Sequence, residues 1–577
     1  MHKIFSLLLA TAALLAPLCP AAGAVPARTD YSELNKGPAE QKYRHRTFRA
    51  YLPNAEINRR YKIGNYSSYE NPTGIFFSEG EQATITLSGA PDQKITLIVN
   101  DFEQGGARDE YPLSQGVNHL TIRHKGLGYL DYRSTDPEKA PAVHADIAGG
   151  QINGVFTRHD SAATWKRLLA HAKCNILDLL GQRCQLTYDV EGLRKGCPER
   201  GPELLKTYDR IIALEQDDIL GWKREGIHPG NHIHGRVQWG GFMHADHWGA
   251  AFHFHTIPGL SSIERLHQGA WGVAHEFGHV NQTRRGMKWV GTAEVTNNIF
   301  SAWVNYNLCP SVMRLEHERI QNADNKSMIG GRFDCYINHA LVDRRLWQYH
   351  GGPDDGNTTP PAHSTGDHFV SVCPLWQLQL YCAVARGKSG FYPSIFHSVR
   401  NTDETQLTEG QLRVLFFRRA CDAAKLDLSA FFVKTGMLAP MDRLVRDYSN
   451  HHMTITRSMC EEAIRYASRY PKPDSSVIFY ITANSVDIFA GRKNVRQPSA
   501  NFSPVLKDGI IEVPANCWEN AVAFEAYAGD KLLRVSLRGL NHQDHQSTSV
   551  ICPEGTTSVK AVQWDGRRFL LAAFPEK

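Results

Sequence analysis

His275 and His279 lie four residues apart in the run Ala270-Trp-Gly-Val-Ala-His-Glu-Phe-Gly-His279. On a helix both imidazoles leave one face a turn apart and can share one metal ion. Glu276 sits beside the first and can take a proton from a water molecule. Two neutral imidazoles need a third protein ligand and an open position for a zinc to be catalytic. Glu294 fills that role: fourteen residues separate it from His279, enough to end one helix, reverse direction and begin a second that carries the carboxylate back. Gly286 and Gly291 provide the breaks, and Gly278, inside the motif, suits a close approach between the two elements. If Glu294 is not a ligand, Glu316 and His317 are the next candidates. Asn298, one turn beyond Glu294, can orient a metal ligand or serve as a buried packing amide. The expected cofactor is one Zn2+ per chain, and the competing reading is a hydrogen-bonded histidine pair without metal.

The run His-Glu-Phe-Gly-His-x-x-Gln followed by Trp289-Val-Gly-Thr-Ala-Glu-Val-Thr-Asn-Asn-Ile-Phe-Ser301 resembles the enhancin-like zinc metallopeptidases, peptidase family M60. Tyr69-Glu-Asn-Pro-Thr-Gly-Ile-Phe-Phe77 and Leu375-Trp-Gln-Leu-Gln-Leu-Tyr381 agree with its bacterial members. The likeness spans about residues 45 to 440. It implies a zincin-type (gluzincin) metalloendopeptidase with Glu276 as general base, His275, His279 and Glu294 as zinc ligands, and mucin-type O-glycosylated glycoproteins as substrate. An alternative from another class is a secreted glycan- or mucin-binding protein that keeps the fold without catalysis. This chain has lost neither Glu276 nor a ligand.

Sugar recognition needs aromatic faces and polar groups. The stretch Gln238 to Trp248 has both, with Trp239, His244, Asp246 and Trp248 spaced by glycines. For the oxyanion, Tyr306, His363, His368 and Tyr381 are open candidates. His232 and His234, like His253 and His255, would share a strand face, which for most such histidines means hydrogen bonding or exposure and not a second metal.

The elements that must position these groups suggest a multidomain α+β chain. Residues 46–157 carry short alternating runs, such as Ala83-Thr-Ile-Thr-Leu87, and read as an N-terminal β-sandwich. Residues 158–470 read as a mainly helical catalytic domain, with helices at 161–171, 202–215 and 368–386. After a Pro-Lys-Pro-Asp linker at 471, residues 477–577 read as a C-terminal β-sandwich whose first strand covers Val477–Phe489.

Residues 1–24 read as a signal peptide, with Lys3, an apolar Ile4–Leu15 core and Ala22-Gly-Ala24 as the cleavage site. Residues 25–45 then form a linker. The protein is expected to be secreted, periplasmic or at the cell surface. Lipoprotein anchoring at Cys19 is less suited because Pro17 and Leu18 precede it. No apolar stretch reaches the roughly 18 residues of a transmembrane helix, and the net charge of +5 is spread without a basic stripe, which argues against nucleic acid. Of twelve cysteines, eleven follow Cys19, an odd number, so at least one thiol is unpaired. On a helix over 368–386, Cys373 and Cys382 face opposite ways and cannot bridge.

Overall fold

The computed structural model describes residues 28–318, 320–321, 327–328, 330–342, 368–498, 502–540 and 547–575. The expected signal peptide, Cys19 and His363 lie outside the described residues. No helix among these residues is long and apolar enough to cross a membrane.

Alternating sequence runs build two antiparallel sheets at the N-terminal end. One has four strands, in the order His45–Phe48, Val143–Ala148, Gln82–Ser88 and Gly116–Thr121. The other has five, in the order Arg108–Leu113, Ile95–Asn100, Gly126–Tyr132, Pro72–Phe77 and Gln151–Ile152. Phe48, Ile85, Leu87, Leu97, Val99, Leu130, Val143 and Ile147 close the core between them. Pro112, which cannot donate to a ladder, sits on the edge strand of the second sheet. Residues 28–44 are not a linker: Tyr31, Leu34 and Tyr43 are buried against Val155 and Leu180, and Ala39–Arg44 is a helix.

The mainly helical segment 158–470 also holds strands that the helical reading did not include. Behind the sandwich lies a six-stranded mixed sheet, in the order Val155–Thr157, Ile176–Leu180, Cys184–Asp189, Ile233–Gln238, Gly249–His253 and Met243–Asp246. Its inner strands are short and buried on both faces, and buried polar residues such as Gln185, Thr187 and His234 interrupt them, so no apolar run marks them. The last strand runs antiparallel to its neighbour and forms the sheet edge. The helices Ala162–His171, capped by Ser161, and Gly201–Ala213 flank the sheet.

From residue 257 onward the domain is helical. Trp271–Asn281 packs on Asn298–Leu308, and His368–Leu378 continues through a wider turn to Ala385. A hairpin, Met441–Asp447 paired with Ser449–Ile455, interrupts the helices. Residues 477–490 form a short 3-10 turn and the helix Val486–Ala490 in place of the expected strand. Beyond them, three- and four-stranded antiparallel sheets share a core of Ile511, Val513, Phe524, Val550, Val559 and Leu571. Val522, Ala523, Val535 and Leu537 instead join the large central core. Most of the eleven described cysteines are buried as small apolar side chains.

Sandwich and central sheet meet through buried polar contacts. Glu70 accepts hydrogen bonds from the His232 backbone N–H and ring, each at 2.7 Å, and Tyr129 donates to Asp178 at 2.8 Å. Burial pushes the Asp178 carboxyl up to about 6, from an ordinary 3.8, although Thr187 and Tyr129 donate to it. The folded chain therefore holds this proton more tightly than the unfolded one. The resulting stability is present in full below the unfolded value and is lost as pH rises through about 6. Urea denaturation should show Asp178→Asn gaining on the parent chain between pH 4 and pH 7.5, by up to about 3 kcal/mol. A stability difference that is flat across this range refutes the assignment.

Candidate metal centre

The helix Trp271–Asn281 places His275 and His279 on one face, with ring centroids 4.8 Å apart. Both are half-buried, and Glu294 Oε2 lies 3.0 Å from His275 Nε2 and 3.1 Å from His279 Nε2. Glu294 is not on the second helix, as the spacing suggested. It sits in a run of turns ahead of that helix, which begins at Asn298. The approach is close because residue 278 is glycine: a Cβ there would stand 2.5 Å from the Asn297 carbonyl oxygen.

Several contacts hold the Glu294 turn. The buried Gln282 amide donates to the Thr292 and Ala293 carbonyls, each at 3.1 Å, and to Thr296 Oγ1 at 2.7 Å. From the other side Asp447 accepts the Gly291 and Ala293 N–H groups at 2.9 and 3.0 Å. Next to it Tyr448, at the hairpin tip with a left-handed φ of 44°, donates to Glu294 Oε1 at 2.5 Å. Asn298 Oδ1 lies 2.9 Å from His275 Nδ1, while its Nδ2 donates to the Glu294 carbonyl at 2.8 Å. The Asn298 carbonyl oxygen can thus hold the Nδ1–H tautomer and leave His275 Nε2 free to ligate. Asn297 lies beneath both imidazoles, its amide 3.2 Å from His275 Nδ1 and 3.1 Å from His279 Nε2.

Burial alone would raise the Glu294 carboxyl, but hydrogen bonds from His275, His279 and Tyr448 hold it well below the usual range. Burial pulls the His279 imidazole down. At His275 burial is outweighed by the contact with Glu294, and the ring shifts up. Burial pushes Glu276 up to about 7 against the opposing pull of His275, and its Oε2 has no hydrogen-bond partner.

This set fits a metal ion. The ligand atoms of His275, His279 and Glu294 lie within 4.8 Å of one another, the one such group among the described residues. Two imidazole nitrogens and a carboxylate oxygen form a zinc donor set with room for a further ligand. The orphaned Glu276 oxygen beside it is a polar group that a water molecule would satisfy.

The triad opens into a cleft of about 800 Å3. Its walls are the edge strand and turn from Met243 to His247, the Lys62–Asn65 segment, Arg284, Lys288 and Tyr448. The Lys62–Asn65 segment is bonded to the motif helix through Gly64 N–H and the Val280 carbonyl at 2.7 Å.

The four residues expected to read a sugar are divided. His244 and Asp246 line the cleft, with Asp246 bound to Arg236 at 2.6 Å and to the Trp248 N–H at 2.8 Å. Trp239 and Trp248 line a separate recess of about 530 Å3 together with Tyr69, Phe102 and Gln238. Trp239 stacks on Phe254 there. A strand turn at Asp246–Gly249 sends neighbouring residues to different sides, which linear spacing does not reveal.

The other candidates lie elsewhere. Tyr381 donates to Asp474 at 2.6 Å, Tyr306 stacks on Trp303, and neither they nor His368 line the cleft. Glu316 is buried and accepts the Ala483 N–H at 2.7 Å. His232 and His234 are buried and hydrogen-bonded, and His253 and His255 contact each other near the surface. Sequence reading missed Tyr448 and Asp447 because they come from a hairpin more than 150 residues beyond Glu294. It also missed a role for Gln282, whose one signal was its place in the motif run.

The fold and this triad define a metallopeptidase. The chain belongs to the peptidase M60, enhancin and enhancin-like family, whose profile matches residues 156–436, and the N-terminal domain of M60-like peptidases matches residues 40–146. Among solved structures, a metallopeptidase from Bacteroides thetaiotaomicron is 21% identical with a TM-score of 0.69, covering 92% of this chain and 90% of its own. A metallopeptidase in complex with Tn antigen is 21% identical at a TM-score of 0.68, with 92% and 99% coverage. The M60 catalytic domain of Clostridium perfringens ZmpC, in complex with sialyl T antigen, is 17% identical at 0.63, with 91% and 99% coverage. A comparison with curated proteins returned no match.

Gly278→Ala should push the Glu294 turn outward, since the obstructing atom is backbone. Overpacking of this kind lowers stability by roughly 1–3 kcal/mol. Retention of zinc against a chelator should fall with it. Unchanged retention and unchanged thermal midpoint would show that the approach is not tight.

Proposed function

We propose that the chain is a secreted or periplasmic zinc metalloendopeptidase of the gluzincin type that cuts mucin-type O-glycosylated glycoproteins. The observation that carries this is the convergence of His275, His279 and Glu294 beside a buried Glu276 with an unpartnered oxygen. His275, His279 and Glu294 would hold one zinc. When bound, the zinc supplies a Lewis acid that acidifies water and polarises the scissile carbonyl.

The remaining work belongs to the protein. Glu276 Oε2 accepts the proton of the attacking water and later delivers it to the leaving amine nitrogen. Its low-dielectric surroundings raise its affinity for that proton to a range suited to shuttling near neutrality. The Tyr448 O–H, which donates to Glu294 in this structure, lines the same cleft and is assigned to turn from that carboxylate to the negative oxygen that develops on the carbonyl. Asn298 fixes the His275 ring, and Gln282 with Asp447 fixes the turn that carries Glu294.

Support for a glycosylated substrate comes from the neighbours bound to Tn and sialyl T antigens and from a cleft wide enough for a sugar beside a peptide. The edge strand, with His244 and Asp246, is assigned to the residues next to the cut. Trp239 and Trp248, in the recess beyond it, are assigned to more distant sugar. Secretion is supported by the charged, apolar and small-residue order of residues 1–24.

Dialysed protein should retain one zinc per chain. Glu276→Ala should keep it and lose roughly 10²–10⁴ in turnover, whereas Glu294→Ala should lose the metal. Tyr448→Phe should lower kcat with zinc retained. Mass spectrometry should find a peptide carrying one O-linked N-acetylgalactosamine cut next to that residue and its bare twin spared. Equal cleavage of both peptides would exclude the glycan requirement, and a chain that takes up no zinc would exclude the mechanism.

A further inference from the structure

The turn after the motif helix carries three cations with different fates. Arg285 is fully occupied: it donates to the Thr405 and Leu407 carbonyls, each at 3.0 Å, and to Glu409 at 3.1 Å. Lys62, on the adjoining segment, donates to the Val399 and Thr402 carbonyls. Arg284 and Lys288 instead line the cleft. Among the described residues neither side chain has a hydrogen bond or an ion pair.

Apart from Glu276, which pairs with neither cation, the nearby carboxylates are already engaged. Glu294 is held by His275, His279 and Tyr448, and Asp447 by the Gly291 and Ala293 N–H groups. Asp246, on the opposite wall, is held by Arg236. Burial depresses the proton affinity of Lys288 and Arg284 depresses it further, while Asp447 and Glu294 act the other way. Two cations without an ion pair, Lys288 half-buried and Arg284 exposed to the cleft, stand beside the reactive centre, and an anion on the ligand can pair with both.

We infer that Arg284 and Lys288 form a subsite for an anionic substituent, a carboxylate or a sulfate ester, carried by the substrate next to the cut bond. The planar Arg284 guanidinium can meet two oxygens of such a group, and Lys288 adds a point charge. The inference rests on the peptidase reading above and extends it to the charge of the substrate. The anion can come from an acidic sugar, from a sulfated sugar, or from an Asp or Glu of the peptide.

The test uses the full chain, zinc-loaded and carrying Glu276→Ala so that turnover is slowed during the titration. Calorimetry compares four matched O-glycopeptides: one with a neutral glycan, one sialylated, one sulfated, and one neutral in its sugar but with Asp beside the glycosylated residue. At least one anionic peptide should bind about tenfold or more tightly than the neutral one at low salt, and the advantage should shrink at high salt. Adding Arg284→Gln and Lys288→Gln should abolish the advantage while neutral binding, zinc content and thermal midpoint stay unchanged. The preferred peptide identifies the source of the charge.

Equal binding of all four peptides overturns the subsite. So does a double variant that weakens neutral and anionic binding alike, and so does absence of binding by any of them. Hydrolysis of the neutral glycopeptide by the unsubstituted enzyme is measured in parallel. If that cleavage proceeds while the charge preference is absent, the subsite alone fails. If no peptide is cut and no zinc is held, the peptidase reading fails.

Discussion

The constraint on which the site depends is the contact between the backbone at Gly278 and the carbonyl of Asn297. A helix normally keeps its neighbours about 8–10 Å away, axis to axis, because side chains intervene. With no Cβ at 278, the turn before Asn298–Leu308 comes down onto the motif helix at the level of the two histidines. Glu294 therefore reaches both Nε2 atoms at once. The same descent carries Asn297 under the imidazoles and brings Asn298 to His275 Nδ1.

Such a turn has little regular structure to hold it, so its position is set from outside. Gln282, one residue beyond the motif helix, bonds two of its carbonyls, and Asp447 bonds two of its N–H groups. The carboxylate is thus suspended between the end of the motif helix and a distant hairpin. Each contact satisfies a backbone group that the turn would otherwise leave unpaired. The same hairpin presents Tyr448 to the cleft, so the element that steadies Glu294 also places a hydroxyl beside it.

Around this centre the fold keeps what chemistry requires and leaves the rest to the walls. The overall architecture is shared with metallopeptidases only about a fifth identical in sequence, so the scaffold by itself does not set the substrate. Selectivity must arise where the edge strand, the Lys62–Asn65 segment and the turn at Arg284–Lys288 face the opening. These walls come from three separate parts of the chain. The Gly64 to Val280 and Asn65 to His247 hydrogen bonds tie them together.

What the sequence by itself determined is the local chemistry. A four-residue spacing puts His275 and His279 on one helical face whatever surrounds them, and Glu276 follows them. The need for a third donor pointed to Glu294, and the absence of a side chain at 278 pointed to a close approach. Alternating runs marked the sandwich at 46–157, because there one face meets the core and the other meets water. Tertiary structure decided the rest. The inner strands of the six-stranded sheet hold buried polar residues such as Gln185 and His234, so no apolar run marks them in the sequence. Glu294 rides on a turn because Asn297 must pass close to Gly278. Trp248 parts from Asp246 because the strand reverses there. Tyr448 and Asp447 reach the site from a hairpin far along the chain, and no local pattern encodes a contact between residues 294 and 448. Spacing along one element is fixed by its backbone geometry, whereas convergence of several elements depends on how all of them pack at once.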